Sequence, residues 1–415
     1  MRVMILGNGA REHALAHKIA ASPKLTALYT APGNTGTALL GENITCNILD
    51  PAAVVELSLR LNLDLVVVGG EAPLEAGVAD AIRQDNPPCA VFGPSRRGAR
   101  LEWSKAYAKH FMDKYGLPTA DYRCFTEAGP AQAYLSECSL PVVVKADGLA
   151  AGKGVAIAHT REQAKEAAAL LAHHGTIIVE EFLLGREASV LVLTDGQNSH
   201  MMPPLEDHKQ LCDGDEGPNT GGMGAYSPVA YWNDDLQAAT AAIVASTLTG
   251  LRAEGVDYRG VIYLGLMLTN NGIKLLEFNS RFGDPECQVL LTKLDGDILP
   301  YLYDAARGEL SDAPMQWSRD YVSVVVACGG EYPGAPSVDA PITGLAAAEA
   351  TGCLVFHAGT ALREGELVTN GGRILSVVGR GASLGGALKQ AYAGLTHIHF
   401  NGMHYRRDIG RRGER

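Results

Sequence analysis

Three short runs, residues 3–6, 65–68 and 90–92, are apolar at every position, and they constrain the fold more than any other feature of this sequence. A strand with one wet face alternates; a strand apolar throughout is buried on both faces, as in a parallel sheet covered by helices. Between the first two runs, Asp50-Pro51 opens a helical pattern reaching about Leu61, with Asp as N-cap and Pro in the first turn. Residues 1–104 are therefore expected to form an open parallel α/β sheet, whose ligands bind beyond the carboxyl ends of its strands.

The remaining pattern is mixed. Residues 95–115 read as one helix closed by Gly116 and Pro118, with Lys105 and Lys109 on one face. Strands are expected at 141–146, 155–159 and 176–182. Thr160 to Gln163 is a capping box for a helix to about Ala172. Asp195-Gly196 and Asn270-Asn271-Gly272 each sit between apolar runs as hairpin turns, with a helix at 234–254 between the two hairpins. Short strands and a helix near 386–392 make an α+β tail. A length of 415 residues suits about three domains, and 47% hydrophobic residues with 20% charged ones suit packed cores.

A net charge of −11 argues against a general nucleic-acid binder, although a local basic pocket for an anionic substrate remains compatible with it. The eight cysteines include no C-x-x-C pair, and the N-terminus enters a strand without a signal-peptide pattern. No apolar run reaches the roughly 18 residues that cross a bilayer. A cytoplasmic protein without membrane contact is expected.

The segment from Leu276 to Glu286 carries the sharpest chemistry. Strand alternation puts Glu277 and Asn279 on one side, offering hard oxygens suited to Mg²⁺ or Mn²⁺ beside phosphates. Arg281 follows at the same spacing as a fixed cation. Asp284-Pro285 reads as a helix start, with Asp as N-cap. A solvated strand end is the plainer alternative for this stretch.

Four further segments stand out. Residues 142–154 are strand, glycine-rich turn and strand: Lys145, Gly148, Gly152, Lys153 and Gly154 suit phosphate contacts, but Gly154 after Lys153 rules out a Walker A loop, and an ordinary hairpin is the alternative. Glu180, Glu181, Phe182, Leu183 and Glu187 end a strand in acids able to meet a ribose and an adenine edge, or merely water. Residues 207–226, with Lys209, Asp213, Asn219 and Gly221, read as a long ordered binding loop. The Gly7 to His13 turn resembles a dinucleotide fingerprint, but Glu12 holds the third glycine position and no acid ends the second strand. A single phosphate at the helix N-terminus near Gly9 and Arg11 is expected instead, with Asn34 and Glu71 placed for sugar hydroxyls. His397 and His399 alternate on an expected strand and read as structural.

Together, residues 7–13, 145–154, 207–226, 260–286 and 405–410 resemble the ATP-grasp ligases and, among them, the phosphoribosylamine–glycine ligase family. The likeness spans nearly the whole chain, with departures at Ala10, His17 and Gly70. It implies an N-terminal α/β domain (1–104), a helical linker (105–125), a small ATP-grasp lid (126–187), a large ATP-grasp domain (188–320) and a C-terminal α+β domain (321–415). It implies that ATP, glycine and 5-phosphoribosylamine give glycinamide ribonucleotide, ADP and phosphate through a glycyl phosphate, in purine biosynthesis. Glu277 and Asn279 then match metal ligands, Lys105 and Lys145 nucleotide-phosphate lysines, and residues 180–183 with Glu187 the adenine and ribose contacts. Arg281, Lys145 and Asp213 are the expected catalytic groups. Gly9, Arg11, Glu12, Asn34, Glu71, Lys209, Asn219, Gly221, Arg281 and Asp284 are the expected substrate groups. Residues 261–269 lack the further metal carboxylate often found in the superfamily. Transient contact with neighbouring purine-pathway enzymes is also expected. Another carboxylate–amine ligase, or a nonenzymatic nucleotide-binding module, would share the nucleotide residues but differ at the N-terminal site or in its need for Glu277, Asn279 and Arg281 together.

Overall fold

The computed structural model describes residues 1–148 and 154–411. Strands β1 (Arg2–Gly7), β2 (Ala27–Pro32), β3 (Glu42–Asn43), β4 (Leu65–Val68) and β5 (Ala90–Phe92) form a sheet ordered β3-β2-β1-β4-β5. All its pairings are parallel, as the uninterrupted apolar runs require. The strand order reverses between β1 and β4, so a crevice opens beyond their carboxyl ends. The helix Ala10–Ala20 starts there, with Gly9 as its N-cap.

Strands β6 (Tyr122–Phe125), β7 (Val142–Ala146), β8 (Val155–Ala158) and β9 (Ile177–Glu181) make an antiparallel sheet ordered β6-β9-β7-β8. Helices Ala128–Leu135 and Arg161–Leu171 cover one face, the second capped by Thr160 as its sequence predicts. The stretch read as a helical linker thus ends in a sheet strand. In the larger lobe, β10 (Arg186–Thr194), β11 (Ser199–Met201), β14 (Gly260–Thr269) and β15 (Gly272–Asn279) run in the order β11-β10-β14-β15, packed against the helix Asp234–Ala253.

The segment read as a long loop is instead a hairpin, β12 (Glu206–Cys212) and β13 (Glu216–Ser227). It joins the C-terminal sheet: β13 pairs with β18 (Tyr321–Cys328), followed by β23 (Arg373–Gly381) and β20 (Leu354–His357). Its glycines serve close approach rather than slack. A Cβ on Gly224 would lie 2.7 Å from the Val324 carbonyl oxygen and from Ile409. The pairs β16 (Leu294–Asp295) with β17 (Gln316–Trp317), and β19 (Ser337–Pro341), β22 (Glu366–Gly371) and β21 (Thr360–Arg363), complete the strands. The helix Leu384–Leu395 packs on the C-terminal sheet.

Three local expectations need correcting. Residues 95–115 form two helices, Arg96–Trp103 and Lys105–Lys114, because Ser104 is extended and its hydroxyl caps the second by accepting from the Tyr107 amide. Pro285, not Asp284, takes the N-cap position of the helix Glu286–Lys293, since Asp284 is drawn to Arg373 (3.2 Å) and Gln288 (2.8 Å). His397 and His399 lie outside any named strand: His397 is in a turn, and His399 makes an isolated bridge to Thr343. All eight cysteines are free. Among the described residues no helix is long and apolar enough to cross a membrane.

Candidate active site

A cavity of ≈590 Å³ lies where the parallel sheet, both lobes and the C-terminal sheet meet. Its size falls within the usual range for a small-molecule site. Arg11 and Glu71 reach it from the first sheet, Lys105 from a connecting helix and Lys145 from the small sheet. Glu277 and Asn279 line it from the large lobe, and Tyr332 and Arg373 from the C-terminal part.

Strand β15 aims its donors through a bulge. Gly265 pairs with Glu277, but Leu266 pairs with Leu275, so Leu276 is the extra residue. Ile273 and Leu275 stay in the core, Leu276, Glu277 and Asn279 line the cavity, and Phe278 does both. Simple alternation places Glu277 and Asn279 correctly but misses the bulge that brings Leu276 beside them. The opposite position must be small: a Cβ on Gly265 would come within 3.0 Å of Glu277 Cγ.

Lysines form the opposing wall. Glu180, expected among the adenine and ribose contacts, lines the cavity and is buried between Lys109 and Lys145, with both Nζ···O distances 2.9 Å. Burial disfavours its charge, but the two lysines outweigh this and hold its pKa below the usual carboxylate range. Lys145 is thereby fixed at the cavity edge. Lys105 donates to the Gly148 carbonyl at 2.8 Å; burial lowers its pKa, with Glu277 acting against the shift. Gly148 has φ +97, which suits glycine. Gly154 lines the cavity, whereas Gly152 and Lys153 lie outside the described residues.

Arg281 is not a free cation. Its guanidinium meets Glu102 at 2.9 Å and Glu71 at 3.2 Å, and donates to Asn279 Oδ1 at 3.4 Å. Burial opposes its charge, and the two carboxylates overcome that opposition. Arg281 in turn helps bring the Glu71 pKa down to about 2, against the effect of burial.

The N-terminal loop differs most from expectation. The Gly9 amide, expected to meet a phosphate, donates to Glu12 Oε2 at 2.7 Å, while Glu12 Oε1 holds Arg11 at 2.6 Å. Glu12 therefore occupies the anion position of this helix start. Arg11 still reaches the cavity. Asn34 is consumed by the fold. Its Nδ2 donates to the carbonyls of Asn8, Gly9 and His357, and its Oδ1 accepts from the amides of Gly36 and Thr37.

Asp213 does not reach the cavity. It sits exposed at the β12–β13 turn, accepting from the Arg407 amide at 2.7 Å, because the hairpin register places it at the far end. Asn219 pairs with Gln210 in that hairpin and is not a lining residue, whereas Gly221, Lys209 and Asp284 are. Glu181 is exposed and accepts from the Asp121 amide. Phe182 and Leu183 follow β9 outside the lining, and Glu187 holds Lys209 at 2.7 Å.

Several lining groups have no local signature in the sequence. Glu102 reads as an ordinary helix acid. Tyr263 donates to Glu286 at 2.9 Å and accepts from the Ser189 hydroxyl at 2.6 Å, and Asp207 lies 3.4 Å from that same hydroxyl. Burial, resisted by Lys209, pushes the Asp207 carboxyl up to about 7. Arg373 pairs with Asp284 and donates to the Gly221 carbonyl at 2.8 Å, and Tyr332 accepts from the Gly221 amide. Only the preference for polar residues in the 207–209 stretch hinted at any of these.

The donor set at Glu277 and Asn279 fits a divalent ion held jointly with phosphates. Among the described residues, the Glu277 side chain makes no hydrogen bond or ion pair, and no group of three or more His, Cys, Asp and Glu residues is arranged to hold a metal unaided. Two oxygen donors facing a lysine wall leave the other coordination positions to phosphate oxygens and water.

Residues 1–102, 103–287 and 321–412 match, in turn, the N domain, the ATP-grasp (A) domain and the C domain of phosphoribosylglycinamide synthetase. A phosphoribosylamine–glycine ligase of Mesorhizobium japonicum is 45% identical over 417 residues, spanning 99% of this chain and 98% of that protein. The human trifunctional purine biosynthetic protein adenosine-3 is 43% identical over 99% of this chain and 42% of its own length. The crystal structure of phosphoribosylamine–glycine ligase from Thermotoga maritima superposes with a TM-score of 0.85 at 36% identity, covering 98% of this chain and 100% of that one. The chain belongs to the phosphoribosylglycinamide synthetase family, within the ATP-grasp fold.

Proposed function

We propose that this protein ligates glycine to 5-phosphoribosylamine, converting ATP to ADP and phosphate and forming glycinamide ribonucleotide. The observation that carries the reading is one cavity lined by Glu277 and Asn279, by Lys105 and Lys145, and by Arg11, Glu71 and Arg373. The lysines with Glu277 and Asn279 suit a nucleotide's phosphates, and the arginines with Glu71 suit a charged sugar.

Lys105 and Lys145 bind and orient the nucleotide phosphates. Glu277 and Asn279 hold Mg²⁺ or Mn²⁺, which when bound neutralises charge developing on the transferring phosphoryl group. Arg281, kept rigid by Glu102 and Glu71, orients the glycine carboxylate for attack on the γ-phosphate. The product is glycyl phosphate, which the sugar amine attacks as phosphate leaves. The amine must then lose a proton. Asp207, beside the Ser189–Tyr263–Glu286 hydrogen-bond chain, provides a buried acceptor on the cavity wall. The remaining polar contacts to glycine and the sugar fall to Lys209, Gly221, Asp284 and Arg11. The cytoplasm is the proposed location, with the neighbouring enzymes of purine synthesis as transient partners.

Mass-spectrometric identification of the product from ATP, glycine and freshly generated phosphoribosylamine tests the reading. Glycinamide ribonucleotide is expected. With ¹⁸O-carboxylate glycine, label should appear in the released phosphate; unlabelled phosphate would exclude the acyl phosphate.

A further inference from the structure

The N-terminal loops are tied to the C-terminal sheet at His357, at the end of β20, where the Thr35 hydroxyl meets the His357 ring and the Thr360 hydroxyl and the His357 backbone makes two further contacts. Its carbonyl accepts from Asn34 Nδ2 at 2.7 Å, and its amide donates to His13 Nδ1 at 2.8 Å. Each contact joins residues more than 300 positions apart. The same Asn34 amide group also holds the Asn8 and Gly9 carbonyls, at 2.9 and 3.2 Å, immediately before Arg11 enters the cavity.

The chemistry of this junction is restrictive. Asn34 meets three carbonyls with its amide nitrogen and two backbone amides with its oxygen, so only a carboxamide satisfies both sides. His13 must present a bare Nδ1 to receive the His357 amide. Its ring is packed edge-on to Phe356 and lies so close to Gly36 that a Cβ there would fall 2.2 Å from His13 Cε1. No slack remains for the ring to turn away.

We infer that His13 and Asn34 are positioning residues: through them the His357 backbone holds the Asn8–Gly9 turn, and with it Arg11, at the proposed phosphoribosylamine site. The C-terminal part is thus a structural half of the sugar site, acting on it from behind as well as through Arg373. The inference rests on the proposed ligase reaction only for the identity of the substrate affected.

The test compares His13→Leu, which removes the acceptor, with His13→Asn, whose Oδ1 takes the place of Nδ1. An unpaired buried amide costs enough to raise the KM for phosphoribosylamine about tenfold in His13→Leu. The KM values for ATP and glycine should stay within about twofold, and His13→Asn should recover most of the loss. Amide hydrogen exchange, which needs no substrate, should quicken at residues 8–13 and 34–37 in His13→Leu and return towards wild type in His13→Asn. Should His13→Leu fail to fold, Asn34→Asp, which sets a carboxylate against three carbonyls, gives the same paired readouts. Unchanged exchange in the acceptor-free variant overturns the clamp. A uniform rise in all three KM values, or no rescue by asparagine, overturns the positioning role. A wild type that exchanges as expected but does not use phosphoribosylamine would sink the proposed reaction and leave the clamp standing.

Discussion

At the scale of single residues, charge and burial decide what each group can do. Glu277 is a cavity carboxylate without a protein partner among the described residues, so Glu277→Gln should lose ligase activity with no loss of folding. Unchanged turnover at limiting Mg²⁺, with an unaltered circular dichroism spectrum, would refute the metal role. Glu180 is the reverse case. Its carboxylate neutralises two buried lysines, so Glu180→Gln should destabilise the protein by about 3–5 kcal/mol, as breaking a buried ion pair does. Urea denaturation measures this directly, and a cost below about 1 kcal/mol would mean that the lysines find water instead. Asp207, shifted to about 7, is inactive as a base when protonated. Turnover should therefore rise as pH increases through about 7 in the wild type, and this limb should vanish in Asp207→Asn. A profile of unchanged shape would remove Asp207 from the proton path.

At the scale of elements, hydrophobic pattern was a good guide wherever one element buried one face. The parallel strands, the capped helices and the two hairpins at Asp195 and Asn270 follow from it. It failed where an element's partner was distant in sequence. Residues 207–226 look like a loop because their glycines and acids suppress strand propensity, yet pairing of β13 with β18 outweighs that local preference. The β14–β15 hairpin shows the same dependence on close packing. Because Gly265 faces Glu277 across the pair, Gly265→Val should push the carboxylate aside. The metal concentration for half-maximal activity should rise several-fold, by about 1 kcal/mol of lost alignment. A variant with unaltered metal dependence would show that the strand pair yields without moving Glu277.

At the scale of the whole molecule, two buried histidines join the first and last parts of the chain, and they make the junction sensitive to acid. Burial lowers His13 to about 3 and His357 to about 4. Folded, both stay neutral; unfolded, both take up protons below about pH 6.5. The unfolded state then binds more protons, so their contribution is fully present above pH 6.5 and is lost as pH falls towards the folded values. Each histidine should remove up to about 1.4 kcal/mol of stability per pH unit in that window. Denaturation at pH 7, 6 and 5 should show the slope, and His13→Asn should make it shallower; equal slopes would mean that other groups set the acid limit.

The sequence by itself determined what depends on neighbours within a few residues: the parallel sheet, the helix caps, the strand that sets Glu277 beside Asn279, and the family resemblance with the reaction it implied. Those signals are local because backbone periodicity and capping act over one or two turns. Tertiary structure alone decided which polar groups remain available to a ligand. Glu12 spends its carboxylate on the Gly9 amide, Asn34 its amide on His357, Glu180 its charge on two lysines, and Asp213 lies at the wrong end of a hairpin. Buried polar groups must find partners, and those partners come from wherever the fold brings them, often hundreds of residues away. The same long-range pairing carried Arg373, Tyr332, Glu102 and Tyr263 to the cavity, where no local pattern announced them.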